Sequence, residues 1–203
     1  TLLILLNINP NNLSYFNFVI SIFIFFIILM GDNLYLGIIL FFLITLLDFS
    51  DGTLARYYKI TSFYGKFIDG LIDIFKKSFL ILSISFYSFK ILQDFNLLII
   101  GCIASIFTSF ESFVLDRYSA IVRWYNQEFN KNIKPYSRKT FLPIITFFLG
   151  DFYMILLFSL PFVENNNKLF YLVLLTLFIT LILSALMNII IYTFLSYKNL
   201  NSK

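Results

Sequence analysis

The chain alternates long apolar runs with short polar breaks, and the length of the runs predicts its elements. Several approach or exceed the ~20 residues that a helix needs to cross a hydrocarbon layer. The breaks divide the sequence into six helices over about 13–31, 33–57, 62–92, 95–127, 138–162 and 168–197. The predicted fold is all-α: a polytopic membrane protein with six transmembrane helices, in a single domain over residues 1–203. The second, third and fourth helices exceed what a bilayer requires and carry their charges near one end. That end is expected to project past the hydrocarbon and to hold the chemistry. No internal repeat and no linker longer than the stretch from Asn126 to Ser137 suggests a second domain.

Composition supports lipid as the main solvent. Only 13% of residues are charged and 60% are hydrophobic, where a soluble domain carries about a quarter charged. The 15 basic residues then give an orientation. With the N-terminus in the cytosol, Arg56, Lys59, Lys66, Lys76, Lys77, Arg117, Arg123, Lys131, Lys134, Arg138, Lys139, Lys198 and Lys203 face inward, and only Lys90 and Lys168 face outward. By the positive-inside rule both termini are cytosolic, in the cell membrane if the source is bacterial. The net charge of +4 follows from that topology and implies no nucleic-acid partner. The chain opens at Thr1 without an initiator Met, so a short N-terminal piece is expected to be missing. No signal peptide is recognisable.

Absences narrow the chemistry. There is no histidine, which excludes Ser/His/Asp triads, histidine-based zinc sites and a histidine base. Cys102 stands alone in an apolar run and reads as a small packed hydrophobe. Proton transfer is left to carboxylates or lysines.

Carboxylates cluster at one place. The chain reads Asp48-Phe-Ser-Asp51-Gly52-Thr-Leu-Ala55-Arg56, then, after eight residues, Gly65-Lys-Phe-Ile-Asp69-Gly-Leu-Ile-Asp73. An ionised carboxylate costs some ~2.5–3.5 kcal/mol at the centre of a membrane helix and less near the interface, so four acids together require cations. At 100° per residue Asp48, Asp51, Gly52 and Ala55 share one helix face, with Arg56 flanking it. Gly65, Asp69 and Asp73 form one stripe on the next helix. If the two helices face each other as a hairpin, four carboxylates converge beside small residues that leave room for a ligand. All-oxygen ligation of this kind suits Mg²⁺ or Mn²⁺ carrying phosphate oxygens. The alternative is an ion-pair network with Arg56, Lys66, Lys76 and Lys77, which leaves the glycines unexplained.

The spacing D-x2-D-G-x2-A-R-x8-G-x3-D-x3-D resembles the signature of the CDP-alcohol phosphotransferase family at all eight specified positions. The signature covers Asp48 to Asp73; length and helix number are similar over nearly the whole chain. The resemblance implies transfer of a phosphoalcohol, phosphatidyl in the favoured reading, from a CDP-linked donor to an alcohol acceptor with release of CMP, in phospholipid biosynthesis. CDP-diacylglycerol is the favoured donor, and a small alcohol or phosphorylated polyol is the acceptor. Asp48, Asp51 and Asp69 would hold two Mg²⁺ or Mn²⁺ ions, and Asp73 would complete the site or act as the base. Gly52 and Ala55 would let the nucleotide approach the helix backbone, Arg56 would contact its phosphates, and Gly65 would be a structural small residue. Ser62 matches a hydroxyl position six residues after the arginine. Asn11, Asn12 and Ser14, after Pro10, loosely match the part of the nucleotide pocket before the first span.

Acceptor recognition by Arg117, Arg123, Arg138 and Lys139 is implied by basic residues in the same region of several relatives; loop charges following the positive-inside rule are the competing reading. Gly70 stands where glycerophosphate-type relatives often carry proline, so the acceptor stays open. Lys76 and Lys77, three and four residues after Asp73, read as structural partners of Asp73 or of Glu111. Trp124 and its tyrosine neighbours read as an interfacial belt. The family commonly dimerises, which makes a homodimer an expectation. Two rival readings are CDP-choline or CDP-ethanolamine transfer to a lipid acceptor, and a cation-coupled transporter, which would place its carboxylates mid-span. A scaffolding protein would not need convergent aspartates.

Overall fold

The computed structural model describes residues 10–31, 33–58, 63–129 and 141–200. Its side-chain description omits Pro10, Asn11, Gly31, Phe49, Asp51, Gly52, Ala55, Arg56, Phe63, 141–151 and 198–200. The described residues form six helices: α1 Pro10–Gly31, α2 Leu34–Tyr57, α3 Phe63–Leu92, α4 Phe95–Glu128, α5 Phe141–Val163 and α6 Asn167–Leu200. These bounds differ from the expected ones by a few residues at the ends.

Local chemistry sets those ends. Pro10 opens α1, where its missing N–H costs nothing. Asn33 caps α2 by accepting the Leu36 N–H at 3.0 Å, and Asn166 caps α6 by accepting that of Leu169 at 3.3 Å. Between α3 and α4 the chain reverses on two residues. Gln93 takes a left-handed conformation, φ 54°, and Asp94 Oδ1 accepts the N–H groups of Asn96 and Leu97 at 2.8 and 3.3 Å.

Three helical stretches are long and apolar enough to cross a membrane: Asn12–Met30, Phe95–Glu128 and Asn167–Tyr197. Leu34–Asp48 and Phe152–Val163 are apolar but shorter. Large side chains such as Phe23, Met30, Ile106, Phe162 and Ile190 point outward, a surface unsuited to water and suited to lipid. The chain thus has the features of a membrane protein.

Residues fall into two compact units, Thr1–Ser105 and Ile106–Lys203. In the first, α1 packs closely along both α2 and α3. Its buried stripe runs Leu13, Ser14, Asn17, Ser21, Ile24 and Ile28, with the three- and four-residue spacing of one helix face. At the far end of the α1–α2 hairpin, Ile28 fills the space where Gly37 has no side chain; a Cβ there would run into it. The α3–α4 turn is backed by hydroxyls that reach across: Ser85 Oγ donates to the Leu98 carbonyl at 2.9 Å and Ser105 Oγ to that of Ser78 at 3.2 Å. Such bonds hold helices together where apolar burial gives little drive.

In the second unit α5 packs on α6. Tyr118 and Val122 of α4 are buried with Tyr192 of α6, the two tyrosine rings 5.5 Å apart. The tyrosine neighbours of Trp124 are therefore not all an interfacial belt: Trp124 is exposed, but Tyr118 is core. Asn188 Nδ2 donates to Glu111 Oε1 at 2.5 Å.

Candidate active site

The last three turns of α2 carry Asp48, Asp51, Gly52, Ala55 and Arg56, and the first half of α3 carries Gly65, Asp69 and Asp73. One more residue belongs to that stripe. Lys76 is eleven residues after Gly65, three turns plus about 20°, so it lies on the face of α3 that bears the two aspartates.

Lys76 joins the two helices. Its Nζ lies 2.6 Å from Asp48 Oδ1 and 2.6 Å from Asp73 Oδ1. Two oxygens at that distance from one nitrogen can be no farther apart than twice 2.6 Å, so the carboxylates of α2 and α3 converge. The ammonium is buried, the Asp48 side chain is 21% exposed and that of Asp73 is 49% exposed. Asp48 Oδ1 is buried, and the Lys76 ammonium supplies its counter-charge. A buried lysine is tolerable only with such partners.

The site residues fare differently. Asp48, Asp69 and Gly65 are partly buried, and Asp73 is open on one side. Ser14 is buried on α1 and Asn12 is exposed beside it. Asp51, Gly52, Ala55 and Arg56 lie on α2, and Asn11 on the first turn of α1, by backbone position. Ser62, Arg138 and Lys139 lie outside the described residues. Arg117 and Arg123 are exposed on α4, in the second unit. The ion-pair reading of the acids holds in part, since Lys76 pairs with Asp48 and Asp73. Glu111 accepts from Asn188.

Among the described residues no three metal-ligating side chains gather into one site. Lys76 stands between Asp48 and Asp73 as their shared counter-ion. The donor set still fits a hard divalent ion: carboxylate oxygens on two helices, one of them buried, meeting around a single positive charge. Buried polarity beside them points the same way. Asn17, on the inner stripe of α1, is fully buried and neither Oδ1 nor Nδ2 finds a partner among the described residues. Sequence reasoning missed Lys76 as a centre-forming residue and missed Asn17 altogether. The helical wheel that grouped Gly65, Asp69 and Asp73 already holds the signal for the first.

Nearby, Tyr15 of α1 and Tyr64 of α3 bring their hydroxyls to 2.7 Å, and the rings of Phe18 and Phe75 meet edge to face at 5.8 Å. These contacts fix the level of α1 against α3.

The model of one family, the CDP-alcohol phosphatidyltransferases, matches residues 7–195. No curated protein and no solved structure matches the chain. The family match takes in α1 to α5 and nearly all of α6, with the acidic centre inside it. A chain with this motif, these helices and a match of that extent belongs to the CDP-alcohol phosphatidyltransferase family, phosphotransferases that move a phosphoalcohol group from a CDP-alcohol.

Proposed function

We propose that the protein transfers a phosphatidyl group from CDP-diacylglycerol to a small alcohol or phosphorylated polyol, releasing CMP, as a step of phospholipid synthesis. The observation that carries this reading is the meeting of Asp48 and Asp73, from different helices, around one cation at 2.6 Å each. A lipid donor fits a protein whose helices expose Phe, Ile and Met over much of their surface.

In the proposed reaction the acceptor oxygen forms a bond to phosphorus, the phosphorus–oxygen bond to CMP breaks, and the hydroxyl proton leaves to a carboxylate. Asp73 takes that role, because half of its side chain is open while Asp48 is more enclosed. Asp48, Asp51, Asp69 and Asp73 would hold Mg²⁺ or Mn²⁺, two ions in the reading adopted here. Bound there, such ions neutralise the charge that builds on the leaving CMP. Arg56 adds a fixed positive charge for the phosphates, Gly52 and Ala55 leave the α2 backbone open to the nucleotide, and Asn11, Asn12, Ser14 and Ser62 border it. Gly65 keeps the start of α3 free of bulk. Arg117, Arg123, Arg138 and Lys139 are assigned to the acceptor. All six helices cross the membrane in this proposal, the acidic centre and both termini face the cytosol, and the enzyme is a homodimer.

The test is CMP release by the purified protein in lipid or detergent with CDP-diacylglycerol and Mg²⁺ or Mn²⁺. The acceptor panel is glycerol 3-phosphate, inositol, inositol 1-phosphate and serine, with Asp73→Asn as control. Release that requires one acceptor, a divalent ion and Asp73 supports the proposal and names the product. No release with this panel, but release with a soluble CDP-alcohol and diacylglycerol, would reverse which substrate is the lipid. No release with either donor would defeat the enzyme reading.

A further inference from the structure

The buried amide of Asn17 finds no hydrogen-bond partner among the described residues. Its position relative to the acidic centre follows from helix geometry. Gly37 and Ile28 mark one contact between the antiparallel helices α1 and α2. From Gly37, Asp48 is eleven residues onward; from Ile28, Asn17 is eleven residues back. Both steps are about 16 Å along the axis and return to within about 20° of the starting face. Because α1 and α2 stay packed, Asn17 comes level with Asp48 and on the side that faces it. The third helix agrees: Phe18, next to Asn17, touches Phe75, next to Lys76. Asn17, Asp48 and Lys76 therefore form one layer, with one residue from each of three helices.

An asparagine amide needs two acceptors for its Nδ2 hydrogens and a donor or cation for Oδ1. Burying it without these is costly. In this layer Asp48 Oδ1 is compensated by Lys76 at 2.6 Å, so Asn17 is the polar group left without a partner among the described residues. A guest rich in anionic oxygens would satisfy the Nδ2 hydrogens while sharing the cation held by Asp48. We propose that Asn17 is a diphosphate-contacting residue, its Nδ2 donating to a phosphate oxygen of the CDP-linked donor. This inference rests on the donor reading given above and adds to it a residue outside the aspartate motif.

The experiment is thermal unfolding and CDP titration of the full chain in detergent with Mn²⁺, comparing wild type with Asn17→Leu and Asn17→Asp. Leucine has nearly the same size and no polar atoms, so without ligand Asn17→Leu is expected to unfold at a higher temperature than wild type. Its response to Mn²⁺ alone should persist, while CDP binding weakens about 10- to 100-fold, the loss of one charge-assisted hydrogen bond. Asn17→Asp, which keeps the shape but loses the donor, should weaken CDP binding at least as much. Lower stability of Asn17→Leu without ligand would show that the amide has a structural partner and overturn the proposal. CDP binding within about twofold of wild type in Asn17→Asp would overturn it even if the leucine variant fails to fold. No CDP binding by wild type would sink the donor reading together with it, whereas wild-type binding with unaffected variants would sink Asn17 alone.

Discussion

Asp48 meets Lys76 at 2.6 Å across two helices that both pack on a third. The contact makes one ammonium the counter-charge for carboxylates on both α2 and α3, because Asp73 meets the same nitrogen. A divalent ion at these carboxylates and the ammonium compete for the same oxygens.

Removing Lys76 should therefore separate stability from metal affinity. Lys76→Met leaves Asp48 buried without its cation and is expected to cost about 1–3 kcal/mol in metal-free protein, below the usual figure for a buried pair because Asp73 is half open. Mn²⁺ should recover most of that loss and raise the unfolding temperature more in the variant than in wild type. Thermal unfolding with Mn²⁺ and with a chelator measures both. Equal shifts in the two proteins would mean that the ion binds away from Lys76.

Asp73 and Asp48 should fail differently. Asp73→Asn removes the proton acceptor and should lower CMP release by at least about 100-fold with little change in unfolding temperature, since the side chain is 49% exposed. Asp48→Asn removes the more buried charge facing Lys76 and should reduce both activity and stability. Paired assays of CMP release and unfolding would contradict this assignment if Asp73→Asn were the less stable of the two.

The Gly37 contact with Ile28 gives a packing prediction. Gly37→Ala forces the side chains apart and should cost about 1–3 kcal/mol. Ile28→Ala in the same chain frees the space, so the double variant should be more stable than the sum of the single changes allows. Denaturation of the four proteins in detergent gives the coupling; strict additivity would mean that α1 and α2 are not in contact there.

At the α3–α4 reversal, Gln93 holds a left-handed backbone that glycine adopts freely. Gln93→Gly should leave stability unchanged or raise it by about 0.5 kcal/mol, whereas Asp94→Ala should lower it by about 1 kcal/mol by removing the helix cap. The order of the unfolding temperatures is the check.

Helix positions were legible because lipid imposes them. A span must be apolar over a fixed length, and residues such as Pro10, Asn33, Asp94 and Asn166 mark its start in ways that a sequence displays. The grouping of Asp69 with Asp73 was legible for the same reason, being set by one helix. What joins Asp48 to Asp73 was not, because it depends on the register between helices. That register is fixed by contacts such as Ile28 on Gly37 and Phe18 on Phe75, which no periodicity reveals. Asn17 was hidden differently: one polar residue in an apolar span without charges resembles a tolerated substitution until its burial is known. Its neighbours Ser14 and Ser21, at helical spacing on the same face, were the available hint.

The pairing of Lys76 with Asp73 lies within a single helix, three residues apart, and this bears on how the protein is made. In the proposed six-span topology a nascent α3 can cancel one of its aspartates with its own lysine before any other helix arrives, lowering the penalty for leaving the translocon. Lys76→Gln should accordingly reduce insertion of α3 in a glycosylation-mapping assay of that segment alone, and an unchanged yield would dissociate the pair from biogenesis. On this view assembly begins with a charge pair made in the helix, and Asp48 is recruited to it when α2 and α3 both settle on α1.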